Sequence, residues 1–281
     1  MEASSFVYSL IELNNGNIAS GLFNGDIAIW NIKTQLCIVT LKGHSEGVSC
    51  LIQLKNGNII SASVDRTIKI WDIKANQCIN TLTGHKYSVT YVTKLENENI
   101  ISASSDATIK IWDVETVECI HTLEGHTDSG VHCVIQTKNG NYISSDYNGV
   151  IKIWDVRTNK CISTLNAHSD WCNRIIELKN GFIACTGGSK DKTIKIWDTS
   201  SNKCIVTLNG QSYVFCLIEL SNRNHVSGSR DGTIKIWDFE TCECIQTLSG
   251  HTHWIRDIKE LKNGNIISGS GDKTIKIWER I

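Results

Sequence analysis

Tryptophan recurs along this chain at nearly constant intervals, and this periodicity limits the possible folds more than any other feature of the sequence. Seven of the nine tryptophans are spaced 41, 41, 42, 43, 40 and 41 residues apart: Trp30, Trp71, Trp112, Trp154, Trp197, Trp237 and Trp278. Five of the seven are followed by aspartate. A period of this length, sustained over 281 residues, indicates repeated copies of one supersecondary unit that stack against one another.

The second repeat shows what each unit contains. Residues 45–85 hold four short β-rich runs, at 48–54, 59–63, 67–71 and 78–82. Asn56-Gly57 separates the first two runs, and this pair favours a tight hairpin in which both central residues take positive φ. The chain has no proline, so nothing interrupts a strand ladder. Four strands in about 41 residues are the content of one blade of a β-propeller.

We therefore predict an all-β, seven-bladed propeller that forms one domain over residues 1–281. The predicted blades lie at approximately 1–44, 45–85, 86–126, 127–168, 169–211, 212–251 and 252–281. Only three residues follow Trp278, so the last blade should lack its fourth strand. Met1 to Ser5 is too short and too polar to supply an aligned replacement. We expect a truncated or abbreviated closure rather than an open edge at 274–278 that pairs with another chain.

A Gly-His before the first strand, an aspartate turn before the third strand and the final Trp-Asp closely resemble the WD40 repeat family. In that family the histidine, a serine or threonine on the second strand, the turn aspartate and the tryptophan form one hydrogen-bonded chain per blade. The resemblance implies this network in four blades: His44, Ser61, Asp65 and Trp71; His85, Ser102, Asp106 and Trp112; His168, Thr186, Asp191 and Trp197; His251, Ser268, Asp272 and Trp278.

The other three blades depart from this pattern. Blade four keeps His126, Ser144 and Trp154 but has Asn148 in place of aspartate, and blade six has Gln211 in place of histidine. Blade one has Ala3 at the histidine position, so we expect it to be the least stable blade.

Composition argues against several classes of function. The formal net charge of -1 gives no basic footprint for nucleic acid, and no apolar run is long enough to span a membrane. Nine of the twelve cysteines follow the repeat, while Cys172, Cys185 and Cys242 fall outside it, and none forms a Cys-x-x-Cys. This pattern argues against disulfides and metal sites and favours a cytoplasmic location, with a nuclear one also possible. We predict no cofactor and no small-molecule substrate.

Serine, histidine and aspartate close together could suggest a hydrolase. The same group recurs in most blades, however, whereas an active site is needed once, so we assign it to stability and predict no catalytic residues. An enzyme would need a unique polar cluster in the channel, and His132 with Tyr147 is the only weak candidate. We predict a non-catalytic scaffold that binds a protein or peptide.

Function should lie where equivalent positions of the repeats differ. The resemblance implies partner contacts at the start of each first strand and just before the turn aspartate. Eight of the thirteen aromatic residues outside the seven repeat tryptophans occupy these positions. The predicted partner-binding residues are Phe6, Tyr8, Phe23, His132, Tyr147, Trp171, Lys190, Tyr213, Phe215, Arg230, Trp254 and Arg256. Aromatic residues and arginine are the residues that protein-binding hot spots use most.

Two kinds of ligand remain open for this surface. Arg230 and Arg256 stand at positions that resemble the substrate face of F-box-type WD40 propellers, which bind phosphorylated peptides as substrate-recognition modules of ubiquitin-ligase-type complexes. The alternative function is therefore recognition of acidic or phosphorylated peptides. In the contrasting version, Tyr213, Phe215 and Tyr8 receive an arginine or methyl-lysine side chain by cation-π contact.

Overall fold

The fold is a seven-bladed β-propeller, as the repeat predicts. A computed structural model describes residues 1–126, 129–210 and 212–279. These residues form six antiparallel sheets of four strands and one of three, and the three-stranded sheet is the last blade. The described residues contain no helix, and therefore none that could cross a membrane. The predicted fold class, including the missing fourth strand, is confirmed.

Each blade uses consecutive strands, which run from the channel outward as strands a, b, c and d. Blades one to four contain β1 (Val7–Glu12), β2 (Ile18–Leu22), β3 (Ile27–Trp30), β4 (Cys37–Leu41), β5 (Val48–Gln53), β6 (Ile59–Ser63), β7 (Ile68–Asp72), β8 (Gln77–Leu82), β9 (Val89–Lys94), β10 (Ile100–Ser104), β11 (Thr108–Asp113), β12 (Glu118–Glu124), β13 (Val131–Gln136), β14 (Tyr142–Asp146), β15 (Val150–Trp154) and β16 (Cys161–Asn166). Blades five to seven contain β17 (Cys172–Glu177), β18 (Ile183–Gly187), β19 (Thr193–Asp198), β20 (Lys203–Asn209), β21 (Val214–Glu219), β22 (His225–Ser229), β23 (Thr233–Asp238), β24 (Glu243–Ser249), β25 (Ile255–Glu260), β26 (Ile266–Ser270) and β27 (Ile275–Trp278).

The core lies between adjacent blades. Strand b is buried along its whole length in every blade, whereas most residues of strand d are exposed. One cluster packs Leu13 and Ile29 of blade one against Val48 and Trp71 of blade two. Small residues allow this close approach: a Cβ at Gly21 would lie 2.7 Å from a methyl carbon of Val48. Because both faces of a blade are covered, no blade has a core of its own.

A β-bulge near the start of strand a positions the candidate functional residues. The register shifts after the first residue of this strand in all seven blades. A bulge adds a residue and re-aims the side chains beside it. The second residue of each strand a therefore lies at the mouth of the channel, whatever its type.

The hairpins between strands a and b differ from the sequence prediction. Asn56 does not take positive φ, and only Gly57 does, at 94°. The Leu54 amide donates to Asn58 O and the Gly57 amide to Leu54 O, so the turn is a longer loop closed by one left-handed residue. The same place is taken by Glu98 and Arg223 in blades three and six, both with positive φ.

The N-terminus closes the ring in abbreviated form: it supplies no fourth strand, as predicted, but a single bridge to the last blade. Glu2 pairs antiparallel with Thr274 beside β27. The Met1 amino group donates to Ile275 O (3.0 Å), the Ile275 amide to Met1 O (2.8 Å) and the Ala3 amide to Lys273 O (2.8 Å). Met1 and Ala3 also pack against the core between blades seven and one. These three backbone hydrogen bonds pair the N-terminus with Lys273 and with Ile275, the first residue of β27.

Removal of Met1 to Ala3 should destabilise the whole propeller. Three backbone hydrogen bonds disappear, and each contributes about 0.5–1.5 kcal/mol net, so the free energy of unfolding should fall by about 1.5–4.5 kcal/mol in urea titrations. Glu2→Gln keeps all three bonds and serves as the control. If the shortened chain and the full chain unfold at the same urea concentration, the N-terminus does not close the ring.

Candidate functional site

Blades two, three and seven form the repeated hydrogen-bond network. In blade two, His44 Nδ1 donates to Asp65 (2.7 Å), Ser61 Oγ donates to His44 Nε2 (2.6 Å), and Trp71 Nε1 donates to Ser61 Oγ (2.7 Å). Burial opposes ionisation of Asp65, but hydrogen bonds from His44 and Thr67 outweigh it and lower the pKa of that carboxyl. The same contacts join the other two sets: His85, Ser102, Asp106 and Trp112; His251, Ser268, Asp272 and Trp278.

Blade four has a complete network, because Asp146 supplies the carboxylate that Asn148 lacks. Asp146 Oδ2 lies 3.0 Å from His126 Nδ1, and Ser144 Oγ lies 2.7 Å from His126 Nε2. Asp146 stands at the end of strand b, two residues before the position that the family pattern predicts. Its Oδ1 accepts the amide of Asn148 (2.9 Å). The sequence carried this signal, since the strand ends in aspartate where blade two has Ser63.

In blade five the prediction for Thr186 is wrong. Cys185, and not Thr186, is paired with Lys195 as Ser61 is paired with Lys69 in blade two. Thr186 Oγ1 instead accepts the Arg174 amide (3.1 Å). His168 Nδ1 lies 2.9 Å from Asp191, but its Nε2 faces the Cys185 sulfur at 3.1 Å, and Trp197 Nε1 has no hydrogen-bond partner. The b–c connection is two residues longer here, which displaced the alignment.

Within the described residues, blades one and six keep only the bond from tryptophan to serine and lack the bonds to histidine. Trp30 Nε1 donates to Ser20 Oγ (2.9 Å), and Trp237 Nε1 donates to Ser227 Oγ (2.8 Å). Ala3, at the histidine position of blade one, contributes its amide to ring closure instead. Gln211 lies outside the described residues.

Nine rings form a continuous aromatic arc on one face of the propeller. It runs from blade four through blades five, six and seven to blade one. Neighbouring ring centroids lie 4.2–6.3 Å apart, which is the range of favourable aromatic pairs. The nine rings are those of His132, Tyr147, Trp171, Tyr213, Phe215, Trp254, Tyr8, Phe6 and Phe23. The exposed His253 ring packs beside them, 6.2 Å from the Phe6 centroid and 5.3 Å from that of Trp254. Blades two and three carry small residues at the equivalent strand positions: Gly47, Ser49, Ser88 and Thr90.

The arc includes exposed rings, and two of its members are held in place by hydrogen bonds to Asn173. Trp171 is 44% exposed and Phe23 50% exposed, whereas Tyr213 is buried. The Tyr213 hydroxyl donates to Asn173 Oδ1 (2.9 Å). His132 Nδ1 donates to the Asn173 carbonyl (2.7 Å), and burial together with the nearby Arg256 charge lowers the pKa of His132 to about 3. His132 is therefore a neutral ring at pH 7.

His132 and Tyr147, the weak candidate for a polar cluster in the channel, pack against each other through their rings. Their rings meet edge to face at 5.2 Å, and no hydrogen bond joins them. The His132 donor is already used by the Asn173 carbonyl. The two residues are consecutive members of the arc.

One cation lies within the arc. The Arg256 guanidinium is 4.9 Å from the Phe215 centroid and 5.8 Å from the Tyr8 centroid. Arg230 is exposed on the loop after β22, and its amide donates to the Tyr213 carbonyl (2.8 Å) as its counterparts do in other blades. Lys190 is exposed, but its backbone hydrogen bond differs from that of Arg230. The Lys190 amide donates to the Asp170 carboxylate (2.8 Å) in the longer loop of blade five. Of the three predicted cations, only Arg256 contacts the rings.

A cavity of about 430 Å³ lies below the arc on the propeller axis. Arg256, Phe215, Tyr8 and His132 line it at the mouth, and residues of strand a line it further down. Deeper in, the Arg174 guanidinium stacks over Tyr91 at 4.6 Å. The mouth therefore combines apolar rings with a positive charge.

Comparison with known protein families agrees with the repeat pattern. The family model described as WD domain, G-beta repeat matches residues 35–72, 76–113, 117–155, 159–198, 202–238 and 242–279, which is more than half of the chain. Each match covers the outermost strand of one blade and three strands of the next. Residues 1–34 lie outside the matches, and blade one, to which this segment belongs, has Ala3 at the position of the network histidine. No curated protein matches the chain.

Loss of a network serine should cost more where the histidine is present. Ser61→Ala leaves both His44 Nε2 and Trp71 Nε1 buried without a hydrogen-bond partner. Ser20→Ala removes the hydrogen-bond partner of Trp30 Nε1 alone. Each unpaired buried group costs about 1–3 kcal/mol. The unfolding free energy should therefore fall about 1–3 kcal/mol further for Ser61→Ala. Equal losses in the two variants would mean that the histidine bond adds no stability.

Acid should destabilise the propeller through these networks. Burial opposes ionisation of Asp272, but hydrogen bonds from Thr274 and His251 outweigh it and lower the pKa to about 2. Burial also lowers the pKa of His251, despite its Asp272 partner. Both groups bind protons more weakly when folded, so their stabilisation is present above their ordinary pKa values and is lost as the pH falls: below about 6.5 for the histidine, and from about 4 to 2 for the aspartate.

The test compares the pH dependence of unfolding in two variants. Asp272→Asn should unfold with a shallower dependence on pH between about 4 and 2 than the unmodified chain. Asp231→Asn is the control, because Asp231 is the turn aspartate of blade six and, among the residues that the structure describes, bonds to Thr233 and to no histidine. If Asp231→Asn flattens the curve as much as Asp272→Asn, the histidine networks are not the cause.

Proposed function

This chain belongs to the WD40 repeat family, and we propose that its aromatic arc binds a peptide or protein segment that carries apolar side chains beside an acidic group. WD40 propellers are in general non-catalytic modules for protein interaction. The observation that carries the proposal is the unbroken contact of nine rings over five blades, while blades two and three offer small residues. The ligand should therefore lie to one side of the axis.

The physical properties of the arc suit a protein ligand. Aromatic side chains bury a large area at a small entropic cost, and hot spots concentrate in such residues. The exposed rings of Trp171 and Phe23 can be covered by a ligand, while hydrogen bonds to Asn173 fix His132 and Tyr213 in advance. A surface that is already ordered loses less entropy on binding.

The position of Arg256 favours an acidic ligand group over a basic one. Its guanidinium lies against Tyr8 and Phe215, two of the three rings that could receive an incoming cation. The third ring, Tyr213, is buried. A second cation would meet like charge, whereas a carboxylate or phosphate would meet a guanidinium that has no carboxylate partner among the described residues.

The second candidate function is substrate recognition for a ubiquitin-ligase-type complex through phosphorylated peptides. Arg230 supports it, because this residue is exposed and belongs to the blade next to that of Arg256. Arg230 and Arg256 could together bind one phosphate, whereas a carboxylate on the arc needs only Arg256.

Selection from a random peptide library on the immobilised protein tests the site. We expect the enriched peptides to bind Trp171→Ala and Phe23→Ala at least about fivefold more weakly, since truncation of an aromatic anchor costs 1 kcal/mol or more. Tyr87→Ala is the matched control, because Tyr87 is a 60% exposed ring in blade three, outside the arc. Enriched peptides that bind all three variants like the unmodified chain would place the binding site elsewhere.

Charge variants decide between the two candidate functions. Arg256→Gln should weaken acidic peptides by about tenfold, while Arg66→Gln, an exposed control on the b–c loop of blade two, should not. A phosphopeptide that also loses about tenfold with Arg230→Gln supports the recognition module. Preference for basic peptides, unaffected by Arg256→Gln, would contradict both.

A further inference from the structure

Blade five differs from the other blades at two positions that face each other. Six blades have a serine at the network position on strand b, whereas blade five has Cys185 there. The first residue of strand a is valine or isoleucine in six blades and is Cys172 in blade five. The counterparts are Ser20, Ser61, Ser102, Ser144, Ser227 and Ser268 for the first position, and Val7, Val48, Val89, Val131, Val214 and Ile255 for the second. The repeat alone does not account for two cysteines here.

The two cysteines meet the network histidine in the interior. His168 Nε2 lies 3.1 Å from Cys185 Sγ, and the three ligand atoms of His168, Cys172 and Cys185 all lie within 4.8 Å of one another. Both cysteines are fully buried, and His168 is 6% exposed. Imidazole nitrogen and thiolate sulfur are the donors that soft metal ions prefer.

The surroundings of this cluster complete the environment of a metal site. His168 Nδ1 donates to Asp191 (2.9 Å), which orients the ring so that Nε2 faces the sulfurs. A carboxylate on the second nitrogen is the usual partner of a metal-bound histidine. Trp197 is 91% buried, packs in the same cluster as both cysteines, and its Nε1 has no acceptor. In six other blades a serine oxygen accepts this N–H, and a thiolate at Cys185 would accept it here.

We propose that His168, Cys172 and Cys185 bind one thiophilic d10 metal ion, Zn²⁺ or Cu⁺, inside blade five. Binding replaces the two thiol protons, which leave to solvent, by two metal–sulfur bonds and adds one bond to Nε2. With Zn²⁺ the two thiolates give an uncharged complex, which suits a buried site. Cu⁺ suits the soft thiolate donors of this site. The absence of Cys-x-x-Cys hid this site, because residues 168, 172 and 185 meet only through the register of β17 and β18.

The strand register favours a bridging ion over a disulfide. Cys172 pairs with Gly187, and Cys185 pairs with Ile175, so the two cysteines are diagonal neighbours on adjacent strands. Diagonal Cβ atoms lie roughly 7 Å apart, whereas a disulfide needs roughly 3.5–4.5 Å. An ion about 2.3 Å from each sulfur spans the longer gap.

Metal uptake by variants that copy the other blades tests the proposal. Cys172→Val and Cys185→Ser each introduce the residue found in other blades, so both should fold. Cys216→Ser is the control, because Cys216 is buried outside the cluster and blade one has Ser9 at its position. The reduced, metal-free proteins are incubated with Zn²⁺ or Cu⁺ in excess glutathione. Glutathione competes with the exposed protein thiols for the metal ion. They are then desalted and analysed for bound metal. Co²⁺ is added separately as a spectroscopic probe.

We expect about one equivalent of Zn²⁺ or Cu⁺ on the unmodified chain and on Cys216→Ser, and at least about tenfold weaker binding by the two cluster variants. The two metal arms show which ion the site prefers. Co²⁺ should give sulfur-to-metal charge-transfer absorption only with the first two proteins. The same uptake by all four proteins, no uptake by any of them, or a Cys172–Cys185 disulfide without metal uptake would overturn the proposal.

Discussion

Face-to-face packing of adjacent blades is the constraint on which the rest of this structure depends. Strand b is buried on both sides in every blade, so each sheet needs a neighbour on either side before its apolar residues leave water. A row of blades would leave two faces uncovered, and closure into a ring removes both. This is why Met1 to Ala3 matter out of proportion to their number: they complete the contact between the last blade and the first.

The same constraint separates the residues that must repeat from those that are free to vary. The bulge in strand a brings its second residue to the channel mouth in every blade. At this position Ser49 and Thr90 donate to the backbone of the next blade, at 2.5 and 2.7 Å, and so face inward. Tyr8 and Phe215 are too large for that role, and their rings stack with their neighbours around Arg256. The arc thus includes repeat positions at which blades two and three carry small residues.

The fold could be predicted from the sequence because the repeat states the same pattern seven times. The strand bounds of blade two follow from its β-rich runs to within about one residue. The errors arose where one blade departs from the others. The family pattern asks for a hydroxyl on strand b and so predicts Thr186, because the longer b–c loop conceals the register that places Cys185 there. The sequence pattern does not predict Asp146, because its carboxylate reaches His126 from the end of strand b, two residues before the turn position.

Contacts between different blades were beyond reach of the sequence for a different reason. The pattern predicts which residues share a face, so the members of the arc could be named, but ring-to-ring distances depend on side-chain directions. Lys190 illustrates this limit. It precedes the turn aspartate as Arg230 does, but its amide donates to the carboxylate of Asp170 and not to a backbone carbonyl. The pairing of Arg256 with Tyr8 and Phe215 joins three blades, and no spacing in the chain records it.

The two proposed sites meet in blade five, and their arrangement gives one blade two related roles. His168 and Cys172 flank the three residues that end in Trp171, the most exposed ring of the arc's central blades. An ion held by both would fix the ends of this short segment. Asp170 already restrains its middle, since its carboxylate accepts the amide of Lys190. A ring that a ligand must cover binds best when its backbone does not move. Occupation of the cysteine cluster would therefore favour the arrangement of Trp171 that continues the arc, and would do so without any direct contact between ion and ligand.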